Sequence, residues 1–185
     1  ISLIVEKTGV SNVGTGSSLF SMIQLVPDQI KLEVSKVQIG GRNILLNSNF
    51  ANGISSWTQT TGYSIVSDEK FGKCCKINAY ATNKGIFQVP KRESGKEYAW
   101  SVWLKADAPM KFRILHEGGT GSSVVDLTTE WQLFKGSGIW NGSGAFCLYA
   151  AEAGTYAYIA NVKYESGNKA TDWTPAPEDT QAGID

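Results

Sequence analysis

Glu97-Tyr98-Ala99-Trp100-Ser101-Val102-Trp103-Leu104-Lys105-Ala106 is the stretch that decides the fold. In an extended chain Tyr98, Trp100, Val102 and Leu104 fall on one side, and Trp103 and Lys105 on the other. Aromatic and β-branched residues in alternation, closed by Asp107-Ala108-Pro109, read as a strand with one face in a core. The outward position of Trp103 is the first functional signal, because a large apolar side chain left in water calls for a cover.

Working outward, short runs of the same kind recur. The patterning predicts strands over Ile44–Leu46, Tyr63–Val66, Cys74–Asn78, Gly85–Val89, Lys111–His116, Ser123–Leu127, Trp131–Lys135, Ala145–Ala150 and Ala157–Glu165. Gly118-Gly119, Gly136-Ser137-Gly138, Asn141-Gly142 and Ala153-Gly154 supply turns between them. Many short strands with turn residues every 8–12 positions predict an all-β sandwich. The run Thr174-Pro175-Ala176-Pro177-Glu178-Asp179 reads as the way out of the domain, since proline cannot donate to a central ladder.

The first 41 residues differ. The chain holds six Trp, seven Tyr and seven Phe, and within residues 1–43 only Phe20 is aromatic. Such a segment has too little apolar mass for a private core. It still alternates: Ile1, Leu3 and Val5, then Ile30, Leu32 and Val34, with a Gly/Ser-rich loop at 14–18. The expected organisation is a β-rich stalk or oligomerisation segment over 1–41, a sandwich over 42–179 and a tail over 180–185, with Gly40-Gly41 as a hinge.

Composition narrows function. Lys and Arg together number 17 and Asp and Glu 17, so no basic excess points to nucleic acid. No apolar run reaches the roughly 20 residues that span a bilayer, so no membrane insertion is expected. Cys74, Cys75 and Cys147 have neither disulfide-framework nor zinc spacing and read as buried thiols. His116 is the single histidine and stands beside a Gly-rich loop with no Gly-x-Ser-x-Gly motif and no Lys-Ser/Thr for phosphate. Neither triad nor phosphate-loop chemistry is therefore expected, whereas glycosidase chemistry needs only two carboxylates and stays open among the 17 acids. Asn141-Gly142-Ser143 fits a glycosylation acceptor but reads as a tight turn.

Three groups of motifs carry a family resemblance. The first is Asn43-Ile44-Leu45-Leu46-Asn47-Ser48-Asn49-Phe50, followed by Gly53 and Trp57. The second is the strand 97–106 with Thr129-Glu130-Trp131-Gln132. The third is Val162-Lys163-Tyr164-Glu165-Ser166-Gly167 followed by Ala170 to Asp179. Together they resemble the carbohydrate-binding-module type of galactose-binding-like jelly roll, over about residues 42–179, in the version found in bacteriophage minor tail and tail-tip proteins. The resemblance implies a jelly-roll β-sandwich that binds a host cell-surface or cell-wall polysaccharide without catalysis. It implies other phage tail proteins as partners, a place in the virion after synthesis in the bacterial cytoplasm, and a homotrimer built through residues 1–40. A closed ring of chains would leave no free sheet edges there. A structural spacer, or an accessory sugar-binding module of a secreted glycoside hydrolase, are the alternatives.

Related jelly rolls often hold a structural Ca2+ where the first and last segments meet. The resemblance assigns Asn49 and Asp172 as ligands here, although Ala51 stands where the family often has an acid. For the glycan, alternation leaves Arg113 outward beside Phe112 and Ile114, and Cys147 and Tyr149 outward beside Phe146 and Leu148. If those strands share a sheet with 97–106, Trp103, Arg113 and Tyr149 form one face, with Trp140 at its edge. Aromatic rings stack on sugar C–H faces and arginine offers a fixed fork of donors. The competing expectation is that Trp103 packs under a loop and Arg113 is merely solvated.

Overall fold

Alternation sorts the central strand as expected. Tyr98, Trp100, Val102 and Leu104 are buried, while Trp103 and Lys105 are half-buried on the other side. The computed structural model describes residues 38–181, so residues 1–37, which make up nearly all of the expected stalk and trimer segment, lie outside the described residues. The strands are β1 (Thr58–Gln59), β2 (Tyr63–Asp68), β3 (Gly72–Asn78), β4 (Gly85–Gln88), β5 (Glu97–Ala106), β6 (Met110–His116), β7 (Ser123–Leu127), β8 (Gln132–Ile139), β9 (Phe146–Ala150) and β10 (Tyr156–Ser166). One short helix, α1 (Pro177–Gln181), follows.

The strands form two antiparallel five-stranded sheets, in the orders β1-β4-β9-β6-β7 and β2-β3-β10-β5-β8. The sheets enclose Trp100, Phe112, Ile114, Phe146, Leu148 and Tyr164, all fully or nearly fully buried. Each such side chain contributes about 1.5–3 kcal/mol of transfer free energy. The architecture is the expected all-β jelly-roll sandwich.

Three local expectations are corrected. Ile44–Leu46 is a bend leading into a turn and not a strand. Its backbone needs are met from outside: the Gln88 amide accepts from Leu46 N and donates to Leu46 O, both at 2.9 Å. Gly136-Ser137-Gly138 is not a turn but the interior of β8. Glycine is required there for space, since a Cβ on Gly136 would lie 2.3 Å from Trp100 Cζ2 and one on Gly138 2.0 Å from Thr120 O. Nor does the Pro-rich run simply leave the domain. Ala176 is buried, and the Asp179 carboxylate accepts the Asn47 N–H at 2.8 and 3.0 Å.

Asn43 joins the two ends of the module. Its Oδ1 accepts from Leu45 N and Tyr164 N, and its Nδ2 donates to Ser48 Oγ, Val162 O and Thr174 O, at 3.0–3.1 Å. Gly40 is pinned rather than a free hinge, because a Cβ there would sit 1.9 Å from Ser166 O. At the same end Phe50 and Trp57 pack with ring centroids 5.6 Å apart, and Trp57 Nε1 donates to Asn47 O at 3.1 Å.

Candidate functional site

The expected set divides between the two sheets. Arg113 on β6 and Tyr149 on β9 are direct cross-strand partners in the first sheet. Trp103 on β5 belongs to the second sheet, so its grouping with them is corrected. Alternation tells which side of a strand a residue occupies, but it carries no information about which sheet the strand joins.

On the outer face of the first sheet, one row across the strands runs Gly85, Tyr149, Arg113, Val124. The next row is Phe87, Cys147, Leu115. Gly85 has no side chain and no room for one: a Cβ there would lie 1.9 Å from Leu148 O and 2.9 Å from Tyr149 Cδ1, so the ring lies close over the glycine. Phe87 meets Tyr149 edge to face with centroids 6.4 Å apart. Arg113 Nη1 donates to Asn83 Oδ1 at 2.7 Å, which holds the guanidinium beside the aromatic floor. Val124 stands exposed at the rim.

Burial raises the Tyr149 hydroxyl well above its usual range, with Cys147 adding to the shift. Burial likewise lifts the Cys147 thiol to about 11. Both are protonated at neutral pH, so the face presents a neutral phenol, apolar rings and one cationic fork. Cys147 points outward as expected but is buried, between Phe87 and Leu115 across the strands and Tyr149 two residues on. Phe87 and Leu115 went unnoticed in the sequence. The signal for Phe87 was its alternation with buried Ile86, but a four-residue strand gives the pattern little length to declare itself.

Trp140 pairs with Gly119 through an isolated bridge at the end of β8. Its Nε1 donates to Ser143 O at 2.8 Å, and the Arg92 guanidinium lies 4.3 Å from its ring centroid. One ring face is therefore occupied, and Trp140 braces the loops. Trp103 is covered in part by the turn between β2 and β3: Phe71 lies 5.4 Å away, centroid to centroid, and Lys70 Nζ 3.6 Å from the ring. Phe71 in turn packs on Trp131 at 4.8 Å, whose Nε1 donates to Asp68 at 3.0 Å.

Solved structures share the fold of this sandwich. TmCBM61 in complex with β-1,4-galactotriose superposes with a TM-score of 0.53 at 18% identity, over 68% of this chain and 99% of that one. The CBM22-1 xylan-binding domain of Paenibacillus barcinonensis Xyn10C gives 0.53 at 14%, over 72% and 100%. The C-terminal family 22 carbohydrate-binding module of Clostridium thermocellum Xyn10B gives 0.50 at 12%, over 68% and 94%. The shared fold is the two-sheet jelly-roll β-sandwich. No family model matches the sequence, and no curated protein matches it.

In this jelly roll each of the two expected calcium ligands already has a protein partner. The Asp172 carboxylate is fully exposed, with Lys135 Nζ 3.9 Å away, and Asn49 Oδ1 accepts the Ala51 N–H at 3.1 Å. Among the described residues no three His, Cys, Asp or Glu side chains are placed to hold a metal. Where the closing segment crosses β10, a side-chain ammonium takes the oxygens instead. Lys163 Nζ donates to Thr171 Oγ1 at 2.6 Å and to Asp172 O at 2.7 Å, with Glu165 Oε2 3.9 Å away. Asn49 and Asp172 thus do not fit a divalent cation.

His116 is also committed. Its Nδ1 lies 2.8 Å from Thr120 O and its Nε2 2.6 Å from the Tyr164 hydroxyl, so both ring nitrogens are engaged in the interior.

Proposed function

We propose that the module binds a glycan without processing it, through the outer face of the first sheet. The observation that carries this reading is the cross-strand pair Tyr149–Arg113, with Phe87 edge-on to the tyrosine. Rings lying along a sheet face offer apolar area to the C–H side of a pyranose, and the guanidinium fork beside them donates to hydroxyls. The fold shared with the galactotriose-bound and xylan-binding modules supports the same reading.

The ligand in this proposal is a host cell-surface or cell-wall polysaccharide, and the module is part of a bacteriophage tail protein. The motifs 43–50 and 162–179 support that finer reading. Shallow sites bind weakly, and several copies on one particle compensate through avidity.

A glycan array probed with the full chain tests the proposal, with Tyr149→Ala and Arg113→Gln as variants. Arg113→Gln, at a half-buried surface position, should fold normally and lose binding to the native chain's hits at least about tenfold. Undiminished binding by folded Arg113→Gln and Tyr149→Ala would move the site off this face.

A further inference from the structure

We infer a second glycan subsite, on the opposite side of the sandwich, in the cleft between Trp103 and Trp173. It stands on its own observations and does not need the first-sheet face to bind. The cleft has a volume of about 240 Å³, and its walls include Trp103, Leu133, Lys135, Thr171, Asp172 and Trp173. That is smaller than the roughly 300–1,000 Å³ of sites that enclose a drug-sized ligand, and it suits a single sugar ring.

Both indoles are fixed before any ligand arrives. Trp173 Nε1 donates to Ser48 Oγ at 3.1 Å. Trp103 is braced on one side by Phe71 and Lys70. Fixed aromatic walls cost little ordering entropy on binding. The Trp103 N–H has no acceptor among the described residues, so it is available to a hydroxyl. Leu133 is 40% exposed and extends the apolar wall.

The polar groups are equally uncommitted. Lys135 and Asp172 sit 3.9 Å apart, both exposed, a separation at which an ion pair contributes little to stability. Together they offer donors and acceptors of cancelling charge. Two indoles, a leucine and a neutralised pair of charges match a neutral pyranose: C–H groups against the rings and hydroxyls toward Lys135, Asp172 and the Trp103 N–H. A strongly anionic sugar would meet the Asp172 carboxylate.

Indole N–H resonances of the full chain report on this directly, with Trp103→Phe and Trp173→Phe assigning the two signals. The probes are cellohexaose, xylohexaose and β-1,4-galactotriose. At least one should shift the Trp103 and Trp173 signals saturably, and Asp172→Ala should weaken that titration about fivefold or more. Asp172 is fully exposed, so this variant reads binding and not folding. Tyr149→Ala should leave the titration unchanged. Shifts confined to the Tyr149 face, or no shift of the two indoles with any probe, would overturn the second subsite. Shifts at the two indoles alone would keep it and count against the first-sheet face.

Discussion

The Tyr164 hydroxyl and His116 Nε2 meet at 2.6 Å in the interior of the sandwich. The carbonyl of Thr120 can only accept, so the proton of the neutral imidazole sits on Nδ1, and Nε2 accepts from the tyrosine. A charged imidazolium would have two donors and would turn one of them on a hydroxyl already contacted by Arg92 Nη1 at 3.3 Å.

A pH dependence follows from that pair. Burial, with the Arg92 charge adding to it, lowers the His116 pKa below its ordinary 6.5, while the Thr120 carbonyl pulls the other way. The folded-state value is below the unfolded one, so the unfolded chain takes the proton first as pH falls. The stability His116 contributes is complete above about pH 6.5 and is lost as pH drops below that, by at most about 1.4 kcal/mol per pH unit. Thermal melts from pH 7.5 to pH 5 should show the native chain losing more stability than His116→Gln. Parallel curves for the two proteins would mean that His116 is not held neutral.

Lys163 and Glu165 tie both ends of the module to β10. The lysine is 1% exposed and the glutamate 0%. Glu165 accepts from Gly41 N and from Thr171 N and Oγ1, while Lys163 donates to Thr171 and to Asp172 O. Removing one buried charge strands the other, which costs about 3–5 kcal/mol. Lys163→Met should therefore be severely destabilised in denaturant titrations, and Lys163→Met/Glu165→Gln should recover part of the loss. An additive double variant would show that the two charges are not coupled.

The same geometry bears on calcium. With Lys163 Nζ holding Thr171 Oγ1 and Asp172 O, and with the Asp172 carboxylate in solvent, the chain has its own cation at the junction of its ends. Melting curves in calcium and in excess chelator should coincide. A rise in melting temperature with calcium would place a site that Asn49 and Asp172, as positioned, do not form.

How far the sequence reached is clear from particular residues. β5 declared itself because Tyr98, Trp100, Val102 and Leu104 keep one phase over seven residues and all four are buried, although the small Ala99 and Ser101 between them are buried too. Ile44–Leu46 misled because a short apolar run that satisfies its backbone through the Gln88 side chain looks like a strand until the partner is known. Gly136 and Gly138 misled because glycine marks both turns and places where another group needs room, here Trp100 and Thr120. At the site, Arg113 and Tyr149 were legible as outward residues, but their pairing with each other and the separation of Trp103 depend on strand order. Strand order is set by long-range contacts that no local pattern records.

Cys147 gives the first-sheet face a built-in reporter. Its thiol lies in register with Phe87 on one side and Leu115 on the other. Burial raises it to about 11, so only roughly a thousandth is thiolate at pH 8. Cys74 and Cys75 are buried in β3 of the other sheet and raised to about 11 and about 12. The folded native chain should therefore react very slowly with an aromatic disulfide reagent at all three positions. Phe87→Ala removes the cross-strand cover of Cys147 and leaves Cys74 and Cys75 as they were, so one thiol per chain should become reactive, faster by about tenfold or more. Adding a glycan that the array identifies, at a concentration that saturates the Phe87→Ala chain despite the lost ring, should slow that reaction again, because the sugar would lie over the exposed thiol. A Phe87→Ala chain whose single reactive thiol is indifferent to a bound glycan would place the ligand away from the Phe87–Tyr149 floor, even if binding itself persists.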